Sequence, residues 1–363
     1  MSIPMIHAWR YTLLVILSAL SLSAAGVSDK DRDWTEQLAD RIEALDQESK
    51  GELGVVVRRL NDDTTLDYQG QRYWYLASAV KLPIAIVLLQ QVENGELTLD
   101  DELTLSSEQR IDGAGDLLWQ TPGRRYDIRD LLKRMLIDSD NVATDMLIEA
   151  IGKETLNDRV QNMTQQGFFA GKGFKPITTL AEVRYGIYEE IHPAARDLDR
   201  EQLVKIAAAD IGPERIDALV RTLEVSRDAL DTEDMDTAYA RYYQRGLNSA
   251  TLESYAGLLT ALVRGELLND EHQALLFQNL KIDSYDDYRL EAGLPHEVTF
   301  IQKTGTQHQR ACHMGVIYPD QPDNALVVTA CIENMDEGES SERLLEKVGA
   351  AVSEVLLAEE NNT

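Results

Sequence analysis

A serine and a lysine three residues apart, Ser78 and Lys81, stand at the start of an apolar run in which Val80, Leu82, Ile84 and Ile86 surround the lysine. On a helix that spacing puts both side chains on one face. A serine hydroxyl is a poor nucleophile until a base takes its proton. A lysine desolvated among aliphatic neighbours has its pKa drawn down towards a useful base. The N–H groups at the start of the helix would favour negative charge developing beside them. Two further clusters carry chemistry of the same kind. Ser139-Asp140-Asn141 precedes a helical run that begins Val142-Ala143-Thr144-Asp145, and these are residue types that cap helices. Lys303-Thr304-Gly305 ends the β-type run Val298 to Gln302, where a cleft-lining edge strand would offer backbone N–H groups to a ligand and Gly305 would keep the approach clear. Each cluster also has an ordinary reading: a core helix with a surface lysine, an N-cap, and a strand end before a turn.

In this order the three clusters match S-x-x-K, S-D-N and K-T-G, the signature set of class A β-lactamases and penicillin-binding proteins. The chain resembles the class A β-lactamase family over most of residues 30 to 157 and 248 to 357. Tyr75-Leu76-Ala77 before the serine, Leu82-Pro83 after the lysine and the loop from Asn94 to Asp101 extend the likeness. So do Leu258 to Gly265, Asp283 to Pro295 and the last hairpin and helix. The resemblance implies that Ser78 attacks a lactam or ester carbonyl while Lys81 helps to move its proton. It makes Ser139 the relay to the leaving nitrogen and Asn141 the ligand of the substrate's side-chain amide. Lys303, Thr304, Gly305 and Thr306 would bind the substrate, with Lys303, Thr304 and Thr306 on its carboxylate. The N–H groups of Ser78 and Thr306 would form the oxyanion hole. The implied substrate is a β-lactam or a peptidoglycan-like small molecule, with no cofactor and a monomeric protein.

One departure matters. The family carries a glutamate in an E-x-x-L-N loop that activates the deacylating water, and no such motif occurs here. Glu154-Thr155-Leu156-Asn157 is one residue short and misplaced. Ser139 and Lys303 are far apart in sequence (303 − 139 = 164), and an acidic helical insertion, roughly 158 to 247, replaces the expected loop. If it folds back, Glu224, Glu233, Asp234 or Asp236 could supply the base. Three function classes follow: a β-lactamase, a D-alanyl-D-alanine peptidase or esterase with slow β-lactam deacylation, and a penicillin-binding sensor that is acylated without turnover. A sensor would need a membrane-spanning signalling segment, which no run after residue 25 supplies.

The elements that must position these groups follow from periodicity. Asp31 to Ser49 has a helical stripe of Trp34, Leu38, Ile42 and Leu45. Gly54 to Val57 and Thr65 to Tyr68 read as strands joined by the turn Asn61-Asp62-Asp63. Ser78 to Gln91 reads as a helix, with Pro83 tolerable in its first turn. Ile128 to Met135, Asn141 to Ile151, Pro213 to Leu223 and Leu252 to Leu267 carry helical periodicity. Val298 to Gln302, Cys312 to Tyr318 and Ala325 to Ile332 read as strands, followed by a closing helix, Ser341 to Leu357. The expected fold is α/β (α+β) and β-lactamase-like, an antiparallel sheet flanked by helices with an inserted all-helical domain. Its α/β part is 26–95 plus 286–363, and its helical part is 96–285. If the last hairpin turns symmetrically about Pro319 to Asn324, Tyr318 faces Ala325 and Cys312 faces Cys331, which predicts a disulfide.

Composition sets the outer limits. The chain has 363 residues, with 63 acidic against 35 basic side chains and a formal charge of −28. Such a field repels nucleic acid and anionic membrane surfaces. Arg10, the apolar run Tyr11 to Leu22 and Ser23-Ala24-Ala25 read as a cleavable export signal over residues 1 to 25. A periplasmic or secreted protein with no stable membrane anchor after cleavage is expected. The six histidines have no metal-ligand spacing. His308, Cys312 and His313 read as strand and loop residues, so no metal site is expected. Gly113-Ala114-Gly115 is no nucleotide fingerprint, and Trp119 stands in a loop where it could line a cleft rim.

Overall fold

β-type alternation at the two ends of the chain produces the sheet. In β1 (Glu52–Arg59), Val55 and Val57 point to one face and Val56 to the other, and all three are buried. The computed structural model describes residues 33–165, 173–281 and 287–357, so the expected signal at 1 to 25 lies outside the described residues. After α1 (Trp34–Glu48), β1 turns antiparallel into β2 (Thr64–Tyr68), with Val57 opposite Leu66. The other strands of this sheet come from the far end of the chain, after a long helical stretch. The chain enters that stretch by β3 (Tyr73–Tyr75), which leads through a 3₁₀ turn into α2 (Lys81–Glu93).

The helical layer then follows. A small ribbon, β4 (Glu102–Thr104) and β5 (Arg125–Asp127), precedes α3 (Ile128–Ile137), α4 (Asn141–Ile151) and α5 (Lys153–Gln165). The helical layer continues as α6 (Leu180–Glu189), α7 (Arg200–Ala207), α8 (Pro213–Leu223) and α9 (Met235–Gln244). The chain returns through β6 (Ser249–Thr251), which pairs with β3, and α10 (Leu252–Val263) and α11 (Asp270–Leu280) complete the layer. Last come β7 (Phe300–Gln307), β8 (Arg310–Ile317), β9 (Leu326–Glu333) and α12 (Glu339–Val352).

The main sheet has the order β2-β1-β9-β8-β7 and is antiparallel throughout. One face packs on α1 and α12 through Leu38, Ile42, Leu345 and Val348. Val56, Met314 and Val327 on the other face join the larger core that holds α2 and α10. The expected fold class is the one observed, and residues from Trp34 onwards form one compact unit. Local boundaries differ from the sequence reading by a few residues at most elements, and three of the differences are instructive. The helix expected from Ser78 begins as a 3₁₀ turn, Ala77–Val80. The helix expected to reach Leu267 stops at Val263, ahead of the left-handed Gly265. Lys303-Thr304-Gly305 lies inside β7 instead of at its end, because β8 pairs with it as far as Gln307. On β8 and β9, Cys312 stands opposite Cys331 and the two are joined by a disulfide, with Cα atoms 4.1 Å apart.

Candidate active site

Ser78 owes its position to a break in regular structure. The ladder between β3 and β6 ends at Tyr75, and Leu76 N–H donates to the Asn248 carbonyl at 2.9 Å. Ala77 then takes a positive φ of 47°, a conformation that costs on the order of 1–3 kcal/mol for a residue with a side chain. Pro83 has no N–H to close a helical bond to the Ala79 carbonyl. The Tyr255 hydroxyl on α10 donates to that carbonyl instead, at 2.9 Å. Gly305 on β7 packs against this turn so closely that a Cβ there would collide with the Leu76 carbonyl oxygen. The glycine thus serves the approach of strand to turn, where the sequence reading gave it the approach of a substrate.

Ser139 lies between α3 and α4 and also takes a positive φ, 54°. Asp140 is the N-cap of α4 and accepts from Ala143 N–H at 2.8 Å. Its other oxygen accepts from Leu117 N–H at 3.0 Å, which ties the 112–120 loop to the cap. Asn141 N–H donates to the Ala114 carbonyl at 3.0 Å. Gly113 and Gly115, with φ of 119° and 96°, pass too close to the Asn141 carboxamide and the Asp140 carboxylate to carry a Cβ. These glycines shape the candidate site. Trp119 on the same loop is 73% exposed.

The three clusters meet at Lys81. Its Nζ donates to Ser78 Oγ at 3.0 Å, Ser139 Oγ at 3.1 Å and Asn141 Oδ1 at 2.9 Å, and it also contacts the Ser139 carbonyl. Lys303 Nζ approaches Ser139 Oγ from the other side, at 3.3 Å. Lys81 is fully buried. Burial and the charge of Lys303 hold its pKa well below the usual lysine range, against the pull of Asp140 and Asp145. Lys303 is brought down to about 8 by burial and by Arg289. Thr304 and Thr306 follow on β7, with Thr304 half-buried and Thr306 exposed.

Behind β7 stands a cation that the sequence reading missed. Arg289 is buried and donates to the Gly305 and Cys312 carbonyls at 3.1 and 3.0 Å and to Thr306 Oγ1 at 2.8 Å. It lies in the stretch Asp283 to Pro295 that resembles the family, but nothing in its neighbours marks it out. Asp145 was missed as well. It is buried one turn along α4 from Asn141 and accepts from the N–H groups of Leu180 and Ala181 at 2.6 and 3.0 Å. Burial raises its pKa to about 7, against those two donors.

A family model described as the beta-lactamase enzyme family matches residues 37–177 and 203–356. The chain belongs to the beta-lactamase enzyme family. A curated relative, β-lactamase VEB-1 of Pseudomonas aeruginosa, is 22% identical over 143 residues, 39% of this chain and 47% of that enzyme, so the match spans about half its length. Among solved structures, PBP-A aligns with a TM-score of 0.66 at 18% identity, covering 91% of this chain and 98% of that one. A β-lactamase of Xanthomonas campestris aligns with a TM-score of 0.65 at 17% identity, covering 89% of this chain and 98% of that one. A variant of PBP-A has been solved as an acyl-enzyme complex with penicillin G. Family and fold together make this a serine-hydrolase-like enzyme.

Of the stretch 158–247 that the sequence reading took for an insertion, the family model leaves only 178–202 unmatched. None of the four candidate carboxylates contacts Ser78 or Lys81. Glu233 pairs with Arg227, Asp234 caps α9, and Asp236 meets His308 Nε2 at 2.7 Å. Glu224 is exposed at the left-handed end of α8. The carboxylates that act on Lys81 are Asp140 and Asp145, and both are occupied by backbone N–H groups. Among the described residues, no group of His, Cys, Asp and Glu is arranged to hold a metal ion, and no helix is long and apolar enough to cross a membrane.

Proposed function

We propose that this chain is an exported serine hydrolase that is acylated at Ser78 by β-lactams and opens their amide bond, with a slow deacylation step. The observation that carries the reading is the position of Lys81 Nζ, within 3.1 Å of Ser78 Oγ, Ser139 Oγ and Asn141 Oδ1. A neutral Lys81 takes the Ser78 proton as Oγ bonds to the lactam carbonyl carbon. The oxyanion forms opposite the Ser78 and Thr306 N–H groups. As the C–N bond breaks, the proton passes through Ser139 Oγ, which lies between the two lysines, to the departing nitrogen. Lys303, with Thr304 and Thr306, holds the substrate carboxylate, and Asn141 holds the side-chain amide.

Water must then attack the ester, and a general base for such a step contributes on the order of a hundred- to ten-thousand-fold. The nearby carboxylates Asp140 and Asp145 already accept from backbone N–H groups, which supports slow turnover. The same observation favours a second reading, a D-alanyl-D-alanine peptidase that β-lactams trap. Intact mass spectrometry after exposure to benzylpenicillin tests the first reading. An adduct of the full penicillin mass that persists alongside slow nitrocefin turnover is expected. Ser78→Ala should abolish the adduct while keeping the fold, since little volume is removed. Labelling that survives in that variant refutes Ser78 as the nucleophile. Fast release of D-alanine from a D-alanyl-D-alanine peptide by the wild-type protein would favour the peptidase.

A further inference from the structure

The family model matches on either side of residues 178–202 and leaves that stretch out. α6 lies within it, yet α6 is tied to the candidate active site at two points. Its first N–H groups, on Leu180 and Ala181, bind the buried carboxylate of Asp145 on α4. One turn further on, Arg184 Nε donates to Asp112 Oδ1 at 3.0 Å while its Nη2 contacts Oδ2, a bidentate pair whose side chains are only 16% and 17% exposed. The remaining nitrogen, Nη1, donates to the Tyr239 hydroxyl of α9 at 3.3 Å.

The main-chain carbonyl of Asp112 has its own partner. It accepts from Asn141 Nδ2 at 3.0 Å, which leaves Asn141 Oδ1 facing Lys81 Nζ at 2.9 Å. A carboxamide has no intrinsic preference between its two ends. Flipped, it would set its NH₂ donors against the lysine and turn its oxygen towards another carbonyl. Both changes are unfavourable, but only while the Asp112 carbonyl stays where it is. That carbonyl borders Gly113, at φ 119°, and Gly115 follows at φ 96°, so the local backbone has little stiffness of its own. A two-pronged Arg–carboxylate contact fixes position as well as energy.

We propose that Arg184 is a positioning residue for the candidate active site: through Asp112 it holds the Asn141 carboxamide with its oxygen on Lys81 and one Nδ2 proton directed to the substrate's side-chain amide. The unmatched segment 178–202 thereby completes a site whose other parts come from family-matched segments. This inference rests on the acyl-enzyme reading of Ser78 and Lys81.

The test compares Arg184→Met, Arg184→Lys and Asp112→Asn with the wild-type protein. Second-order acylation rates are measured with benzylpenicillin, which has a side-chain amide, and 6-aminopenicillanic acid, which lacks one. Losing a buried charge-assisted contact should lower the benzylpenicillin rate of Arg184→Met by about tenfold or more. The rate with 6-aminopenicillanic acid should fall several-fold less. Arg184→Lys, with one prong, should recover part of the difference. Asp112→Asn keeps the main-chain carbonyl and should fall between, which preserves the test if Arg184→Met does not fold. Equal losses on both probes, or none, overturn the proposal and leave Arg184 a structural residue. Without any substrate, NMR of the Asn141 carboxamide protons should show slow exchange in the wild-type protein and faster exchange in Arg184→Met. Unchanged exchange also overturns the proposal. If neither β-lactam acylates the wild-type protein, the acylation reading fails and the exchange measurement still decides the role of Arg184.

Discussion

Ser139 Oγ lies 3.1 Å from one lysine nitrogen and 3.3 Å from another, and the two lysines are suited to different work. Lys81 must be neutral to accept a proton, whereas Lys303 must be charged to hold a carboxylate. Burial lowers both, Lys303 to about 8. The attraction of Lys303 for a carboxylate is therefore present at low pH and lost as pH rises through about 8. The second-order acylation rate reports the free enzyme, so its alkaline limb should have a midpoint near this value. Lys303→Arg keeps its charge at all these pH values and should move the limb upward; an unmoved limb would assign it to another group. Gly305 gives a steric prediction. Gly305→Ala should destabilise by about 1–3 kcal/mol through overpacking, read by denaturant melts, and should slow acylation because the Ser78 turn must yield. Ser78, Lys81, Ser139, Asn141 and Lys303 were legible in the sequence because each cluster is contiguous and keeps its residue types. Arg289, Asp145 and Arg184 were not, since their partners lie 16 to 72 residues away and only burial makes those contacts matter.

At the level of elements, pattern and register were readable where they repeat. α4 and α8 occupy the residues that periodicity assigned, and the symmetric β8–β9 hairpin sets Cys312 against Cys331. Three-residue strands such as β3 and β6 show no period, and the 3₁₀ turn at Ser78 looks like the helix it precedes. Its geometry depends on Pro83 and on a hydroxyl 176 residues away in sequence. Tyr255→Phe should remove the side-chain donor to the buried Ala79 carbonyl. It should cost about 1–3 kcal/mol in thermal or denaturant unfolding, with acylation slowed in parallel. A wild-type melt would mean that the turn closes without that hydroxyl. The disulfide spans a sequence separation of 19 residues. Replacing both cysteines with alanine should cost about 3 kcal/mol by loop-closure entropy, and the unreduced, denatured wild-type protein should show no titrating thiol.

Charge acts on the whole molecule. An excess of 28 negative charges, 63 acidic against 35 basic side chains, spreads over a chain whose sequence pI is near 4.5. The ion pairs Arg227–Glu233, Arg343–Glu339 and Arg41–Glu354 are largely exposed, and exposed pairs contribute little. Repulsion among the unpaired excess opposes the compact state, because unfolding moves the charges apart. Salt shortens the reach of that repulsion to about 10 Å at 0.1 M. Stability at pH 7.5 should therefore rise as sodium chloride goes from about 0.05 to 0.5 M, read as the midpoint of thermal unfolding. General strengthening of hydrophobic burial by salt would give a rise too, and pH separates the two causes. Near pH 4.5 the net charge is close to zero, so the electrostatic gain should largely vanish there, while a hydrophobic gain would remain. The same slope at both pH values would show that self-repulsion does not limit the stability of this protein.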